Sequence, residues 1–547
     1  MFEVVRFLAR ASVQRAADYI VTAPWIRWTW TGLADGIFVP ALVDFRPNDP
    51  DAVHDMMTGR YLLAGRLVDT QGISPFAVEV DHPEWLASLY SFAWLRHFRD
   101  VRDAGAKGFA RTLVLDWIGN EGDFSKESWT PAITAQRVLN WLRHLELLTG
   151  GATPEQVNTI QRSLSSQVQS LRLRERLTSD PAARLLVCAA LVGAALCDED
   201  QRGDIDAQLA RLNAILADQI DTDGMHLSRN PRQQLNLLVE LSSIRQSLGG
   251  LKSAPAIEFI AQVDRMHEAL DAVTLGTGEP AYFHGCGQLP HDTLIAVQAH
   301  GGGHRRRSGL VGGYAILRDG EATIVADSGR VPPLAMAGEA HASALAFEFS
   351  HGTELVVGNC GPAPAELASN RDLFRQGIAH SGPTIDGESA DTIIERGPFK
   401  GRLRAAGQPG KVEISSADNA MILTMGGYAG RNGLFIERRV TLLSGGTTLV
   451  GQDRLQPVEG AQVSGRLELR FHLAPGTMVQ RVGDELVRLI LASGAVWTFL
   501  WEGAQLHEDE SARHSASLGF HKSRQLVLET QARAEAEVAW ILTRESV

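Results

Sequence analysis

This chain is poor in the residues that would place it in several large protein classes. It has 4 cysteines in 547 residues and no C-x-x-C pair, so the number argues against a disulfide framework and the spacing excludes a zinc ribbon. Cys188 and Cys197 fall on opposite faces of a helix and cannot pair. The longest apolar run, Leu185 to Cys197, spans 13 residues, too few to cross a bilayer, and reads as a buried Ala-rich helix. No G-x-S-x-G occurs, which removes the nucleophile elbow that His300-Gly301-Gly302-Gly303 would need as an esterase oxyanion loop. Positive charge is in deficit. The formal net charge of −12 argues against broad nucleic-acid binding, yet leaves room for a local basic pocket that takes an acidic sugar. Arg6, Arg10 and Arg15 sit among apolar residues near the start, but no h-region ends in a cleavage-like site, so no signal peptide is expected.

What is present points to a globular protein of two or three domains, because the length exceeds one hydrophobic core. The period of the sequence changes near residue 275. Before it, apolar residues recur at helical spacing, as in Trp85, Leu89, Phe92 and Leu95, and again in Leu139, Leu142 and Leu145. Thr130-Pro131 is a good helix start, since proline in a first turn costs no hydrogen bond. Further helices are expected at about 154–178, 181–197, 203–220, 231–249 and 255–272. Successive helices with short polar breaks imply an all-α layer of paired helices. Between Gly276 and Gly313 there are ten glycines and the period disappears. Short alternating runs follow, among them Tyr314–Arg318, Ala322–Ala326, Ser343–Ser350, Glu354–Gly358 and Phe435–Leu443, the pattern of an antiparallel β-sandwich. The expected division is an extension over 1–80, a helical domain over 81–275, a glycine-rich linker over 276–313 and the sandwich over 314–547.

Three constellations carry polar chemistry. The first is Asp223-Gly-Met-His226-Leu-Ser-Arg229-Asn230-Pro231, a turn followed by a helix start, which gathers His226, Arg229 and Asn230 where anions are favoured. The second is Tyr282-Phe283-His284-Gly285, with the glycines 301–303 and His304-Arg305-Arg306-Arg307 downstream; the arginine run reads equally as a solvated loop or an anion-binding lip. The third is the pair His341 and His380, with Asn359 on a strand between them. The alternation of Ala344, Ala346 and Glu348 with Leu345, Phe347 and Phe349 predicts that His341 introduces a strand. Two histidines and a neutral amide are a poor zinc set, which wants three or four donors.

In order along the chain, these segments resemble the heparinase II/III-like polysaccharide lyases. The resemblance rests on Trp129-Thr-Pro-Ala-Ile-Thr-Ala-Gln-Arg-Val-Leu-Asn-Trp-Leu142, the DGMHLSRNP segment, AYFHG at 281–285, GGYAILRDG at 312–320 and HASALAFEF at 341–349. It continues through NCG at 359–361, AHS at 379–381, FIERRVTL at 435–442 and LRFHLAP at 469–475. It implies an N-terminal (α/α) toroid joined to the sandwich, and β-elimination on a uronate-containing acidic polysaccharide, heparan-like or alginate-like. The implied roles put Asn230 and Arg229 on the carboxylate, His226 as base and Tyr282 as acid, with His341 and His380 shaping the cleft. No cofactor is required for this chemistry, although His341, Asn359 and His380 leave a place for a structural zinc. Where metal-bearing members carry His-x-His-x-Asp, this chain has Glu339-Ala-His341-Ala-Ser343, and Asn359 replaces a carboxylate. Those losses motivate the alternative of a carbohydrate-binding protein that kept the scaffold without the chemistry. The resemblance also implies the cell envelope or periplasm, the missing signal peptide favours the cytoplasm, and the oligomeric state stays open.

Overall fold

Proline opens much of the helical half. In the computed structural model, helices start on Pro50, Pro83, Pro131, Pro154 and Pro181, where the missing N–H is one that no helix start satisfies internally. Thr153 and Gln156 form a reciprocal capping box, and the Asp180 carboxylate accepts from the Ala183 N–H. The structure describes residues 2–545 apart from 24–25, 27–28, 30, 32–35, 121–126, 199–204, 302–307, 408–409 and 517. Two units result. One comprises Met1–Gln219, Asn236–Asp264 and Asp292–His300; the other comprises Ile220–Leu235, Arg265–His291 and Gly301–Val547.

Within the first unit, the helix Pro131–Arg143 packs on Pro181–Cys197, which in turn packs on Ile205–Gln219. Phe92 anchors an aromatic cluster, its ring centroid 5.2 Å from Trp94, 5.6 Å from Trp117 and 5.5 Å from Trp141. Two buried ion pairs lie in this unit, Arg46 with Asp44 at 2.5 Å and Arg143 with Glu240 at 2.7 Å. Among the described residues no helix is long and apolar enough to cross a membrane.

The second unit contains two antiparallel sheets. The eight-stranded sheet runs in the order Val412–Ser415, Ala420–Met425, Leu434–Leu443, Thr448–Pro457, Glu537–Arg544, Val496–Glu502, Leu486–Ile490, Met478–Arg481. The nine-stranded sheet runs Gln505–Ser515, Gly519–Gln531, Arg466–Leu473, Glu354–Gly358, Phe347–His351, Ala322–Asp327, Tyr314–Asp319, Gly309–Val311, with Pro383–Ile385 also beside Arg466–Leu473. Their inward residues form one core, in which Phe347 stacks on Trp540 at 5.6 Å and Phe471 meets Trp540 edge-on at 4.9 Å. Gly451 lets that indole lie flat on its strand, because a Cβ there would stand 2.0 Å from the ring. Arg438, fully buried on an otherwise apolar face, is held by Asp453 at 2.6 Å, which also accepts from the Trp540 indole at 3.0 Å.

Helix Pro181–Cys197 and strand Glu354–Gly358 form where the sequence places them. The strand expected from Ser343 begins only at Phe347. Ahead of it, Leu345 takes a left-handed backbone at φ 61°, and the Ala342 N–H donates to the Arg375 carbonyl rather than to a neighbouring strand. The glycine-rich stretch contains a helix, His291–His300. The hairpin from Gln505 to Gln531 went unrecognised because its outward face reads as a run of charged residues.

Candidate functional site

All three constellations fall within the second unit. In the first, Asp221 closes a turn by accepting from the Asp223 and Met225 N–H groups, both at 3.0 Å. The chain then passes through Arg229, which adopts φ 58°, into the helix Pro231–Ser247. A left-handed arginine costs roughly 1–2 kcal/mol, and its interactions explain why it persists. The guanidinium donates to the carbonyls of Gly312 at 2.9 Å, Gly313 at 2.6 Å and Arg330, pairs with Asp327 at 2.8 Å, and lies 4.4 Å over the Tyr314 ring. Asn230 caps the helix, its side-chain oxygen accepting from the Arg232 N–H at 2.9 Å. Its Nδ2 makes no hydrogen bond among the described residues and would lie 3.2 Å from a Cβ built on Gly285.

Asp327 ends the strand Ala322–Asp327 and collects donors. Besides Arg229 it accepts from the Ser343 hydroxyl at 2.6 Å and the Gly329 N–H at 2.9 Å, and lies 3.3 Å from His284 Nε2 in an off-axis contact. Burial pushes this carboxyl up, but Arg229, His284 and Ser343 outweigh it and hold it well below the usual carboxylate range. His284 also has a left-handed backbone, φ 50°, and precedes Gly285 at φ 90°, so the segment bends tightly between Asn230 and Glu339. Its Nδ1 accepts the His341 backbone N–H at 3.1 Å, leaving the proton on Nε2, toward Asp327.

The histidine pair has its tautomers set in sequence. His380 Nδ1 faces the Gln376 carbonyl at 2.8 Å, and a carbonyl only accepts, so Nδ1 carries the proton. His380 Nε2 therefore accepts from His341 Nδ1, 3.0 Å away. His341 Nε2 is left with its lone pair and makes no hydrogen bond among the described residues. Burial lowers the basicity of both rings, His380 to about 4, so both are neutral at physiological pH.

A second buried network lies beside the first. The Tyr282 hydroxyl donates to Glu279 at 2.9 Å, and its ring carries the Arg513 guanidinium at 3.7 Å. Glu348 receives Arg513 at 2.7 Å, the Tyr282 N–H at 3.0 Å and the Asn359 N–H at 2.7 Å. The Asn359 amide donates to the Tyr282 carbonyl at 3.2 Å, while its oxygen accepts the Ser381 N–H at 2.8 Å. Burial above all, with Glu279 adding to it against Arg513, raises the Tyr282 phenol so that it keeps its proton.

The structure thus brings Arg229 to His341 and His380 through Asp327 and His284, and Tyr282 to Asn359 through Glu348. Arg229 is an internal brace with its donors occupied. His226 Nδ1 accepts the Ser228 N–H at 3.1 Å and lies 2.7 Å from the Ser228 hydroxyl; burial lowers it to about 4, so the neutral ring carries its proton on Nε2. The sandwich donors do not fit zinc: Asn359 and His380 have both polar ends occupied, and among the described residues no group of three or more His, Cys, Asp or Glu side chains could hold a metal. The run His304-Arg305-Arg306-Arg307 lies outside the described residues. Sequence reasoning quoted His284 without a role and passed over Asp327, Glu348 and Arg513, whose partners are distant in the chain; the histidine before Gly285 was the one local signal.

Residues 301–541 match the family described as Heparinase II/III-like, C-terminal. A relative from Caulobacter vibrioides (strain NA1000 / CB15N), named FtsZ-localized protein C, is 27% identical over 537 residues, covering 92% of this chain and 91% of its own length. Among solved structures, a heparinase III aligns with a TM-score of 0.72 at 13% identity, over 97% of this chain and 91% of that one. Heparan sulfate lyase HepC from Pedobacter heparinus aligns with a TM-score of 0.63 at 15% identity, over 100% of this chain and 91% of that one. At such identities the likeness is one of fold.

Proposed function

We propose that this chain, whose residues 301–541 belong to the heparinase II/III-like family, is a polysaccharide lyase-like protein that cleaves a uronate-containing glycan by β-elimination. One observation carries the reading: the Gln376–His380–His341 relay leaves an imidazole lone pair on His341 Nε2. A uronate C5 proton is too weakly acidic to leave unaided, so the sugar carboxylate must be neutralised while a base takes the proton. Asn230 Nδ2 is the donor for that carboxylate, and His341 Nε2 is the base. The C5–H electron pair becomes the C4–C5 double bond as the C4–O bond breaks. The imidazolium formed on His341 returns its proton to the leaving oxygen on the same face. This role set departs from the one implied by sequence resemblance, because Arg229 is committed to Asp327 and three carbonyls, and the Tyr282 hydroxyl to Glu279.

Incubation with heparan sulfate, alginate and other uronate polymers tests the proposal. An unsaturated, ultraviolet-absorbing product is expected from at least one of them, and its absence from all would end the lyase reading.

A second reading takes the same commitments of Arg229 and Tyr282 as the mark of a scaffold that binds without turnover. The FtsZ-localized name of the Caulobacter relative supports it. Glycan binding without product, or coincidence of a fluorescent fusion with FtsZ in cells, would favour this reading over catalysis.

A further inference from the structure

Strand Arg466–Leu473 buries a histidine, His472, that takes no part in the proposed elimination. Its Nε2 faces the Ile378 carbonyl at 3.1 Å, and a carbonyl only accepts, so Nε2 carries the proton. Nδ1 then accepts from the Ser511 hydroxyl at 2.7 Å, with the Cys360 thiol farther off at 3.7 Å. Burial above all lowers the basicity of the ring to about 3, so it stays neutral. The opposite tautomer would set two acceptors, the Nε2 lone pair and the Ile378 oxygen, face to face. What His472 holds is the turn that presents His380. Gly377–Ala379 is a 3-10 turn, closed by the Ala379 N–H on the Gln376 carbonyl at 3.1 Å and by the His380 N–H on the Gly377 carbonyl at 3.0 Å. The next bond of that series would run from the Ser381 N–H to the Ile378 carbonyl. Asn359 takes that N–H instead, at 2.8 Å, and the carbonyl is left for His472. The His472 backbone N–H also donates to the Ser381 hydroxyl at 2.8 Å, which in turn donates to the Gly358 carbonyl at 2.6 Å. One residue thus grips the chain on both sides of His380.

We propose that His472 is the positioning residue that fixes the tautomer of His380 and, through it, the free lone pair of His341. The Gln376 carbonyl that receives the His380 Nδ1 proton stands at the head of the same turn, two residues before Ile378. With the Ile378 peptide tied to His472, that carbonyl keeps its direction and His380 holds its proton on Nδ1. With it released, the turn is free to unwind and His380 to take the other tautomer. His380 Nε2 would then donate to His341 Nδ1, the His341 proton would sit on Nε2, and the lone pair there would be lost. Ser511 supports the arrangement from behind, by donating to the one ring nitrogen of His472 that bears no proton. The tautomer claim stands on this geometry, and its consequence for turnover rests on the lyase reading.

The test is nitrogen NMR on the full chain, isotope-labelled at histidine, because ring-nitrogen shifts distinguish a protonated from an unprotonated nitrogen. In the wild type, His380 and His341 should each show the proton on Nδ1. His472→Leu keeps bulk but cannot donate. It should move both rings toward a mixture of tautomers, and lower kcat on a uronate polymer about tenfold or more with KM little changed. His472→Gln, whose amide can reach the Ile378 carbonyl, should restore the wild-type tautomers and most of the rate. Ser511→Ala, a milder change, should shift the His472 ring and, less, that of His380. A merely structural histidine would lower the melting temperature of His472→Leu and leave the tautomers of the folded protein unmoved, which overturns the proposal. So does a His472→Gln protein no nearer the wild type than His472→Leu. If His472→Leu does not fold, unmoved His380 shifts in Ser511→Ala overturn it. Mixed tautomers in His472→Leu, together with no product from the wild type, support the positioning role while ending the lyase reading.

Discussion

Replacing Asp327 with leucine keeps the volume and removes the charge, and the structure says what that costs. The Arg229 side chain, 3% exposed, would keep its carbonyl acceptors but lose its countercharge at 2.8 Å. Ser343 and the Gly329 N–H would lose their acceptor as well. Breaking one side of a buried pair costs about 3–5 kcal/mol. For a unit of this size each kcal/mol moves the melting temperature by about 2–4 °C, so a fall of roughly 6–20 °C is expected. Thermal and urea unfolding, followed by near-ultraviolet circular dichroism, would measure it. The double variant Arg229→Met/Asp327→Leu removes both charges and should be clearly more stable than the sum of the single losses, a coupling of about 1.5–3 kcal/mol. Strictly additive losses, or an Asp327→Leu protein within about 1 kcal/mol of wild type, would refute the idea that this pair braces the site.

Acid should unfold the second unit in two stages. His226 and His380 are lowered by burial to about 4 in the folded chain, while the unfolded chain takes up their protons near the ordinary value of 6.5, so stability falls as pH drops through that interval. Asp327, held below its usual range, contributes stability that is present above about pH 4 and is lost only as pH falls further. Stability curves flat from pH 7 to 4 would contradict this. Gly451→Ala should destabilise the sandwich by about 1–3 kcal/mol, since its Cβ meets the Trp540 indole at 2.0 Å, and urea midpoints will show whether it does. Tyr282→Phe should cost about 1 kcal/mol by leaving Glu279 without its donor, while any elimination rate stays within a few-fold of wild type; a loss of a hundredfold would return the acid role to Tyr282.

How legible was this in the sequence? The helix Pro181–Cys197 was, because proline and an Ala-rich run mark it locally, and the strand Glu354–Gly358 was, because alternation is local too. The change from paired helices to an antiparallel sandwich followed from the same periodicities. The polar site was half legible. His226, Asn230, His341 and His380 stand out as residue types, but their roles depend on which nitrogen is occupied, and that is set by Ser228, Gln376 and backbone groups. Arg229 looked available because its partner Asp327 reads as an ordinary strand end. The segment before Phe347 alternates like a strand yet bends, because there the backbone serves His284 and Arg375 instead of a ladder.

The proposed elimination depends on His341 Nε2 as the base. Its most direct test is the rate of unsaturated product formation on a uronate polymer, measured side by side for wild type, His341→Ala and His226→Ala, each checked for native unfolding behaviour. His341→Ala should lose about a hundredfold or more, the scale of a positioned general base, and His226→Ala should lose distinctly less. A His341→Ala protein that stays folded and turns over at the wild-type rate would contradict the assignment outright.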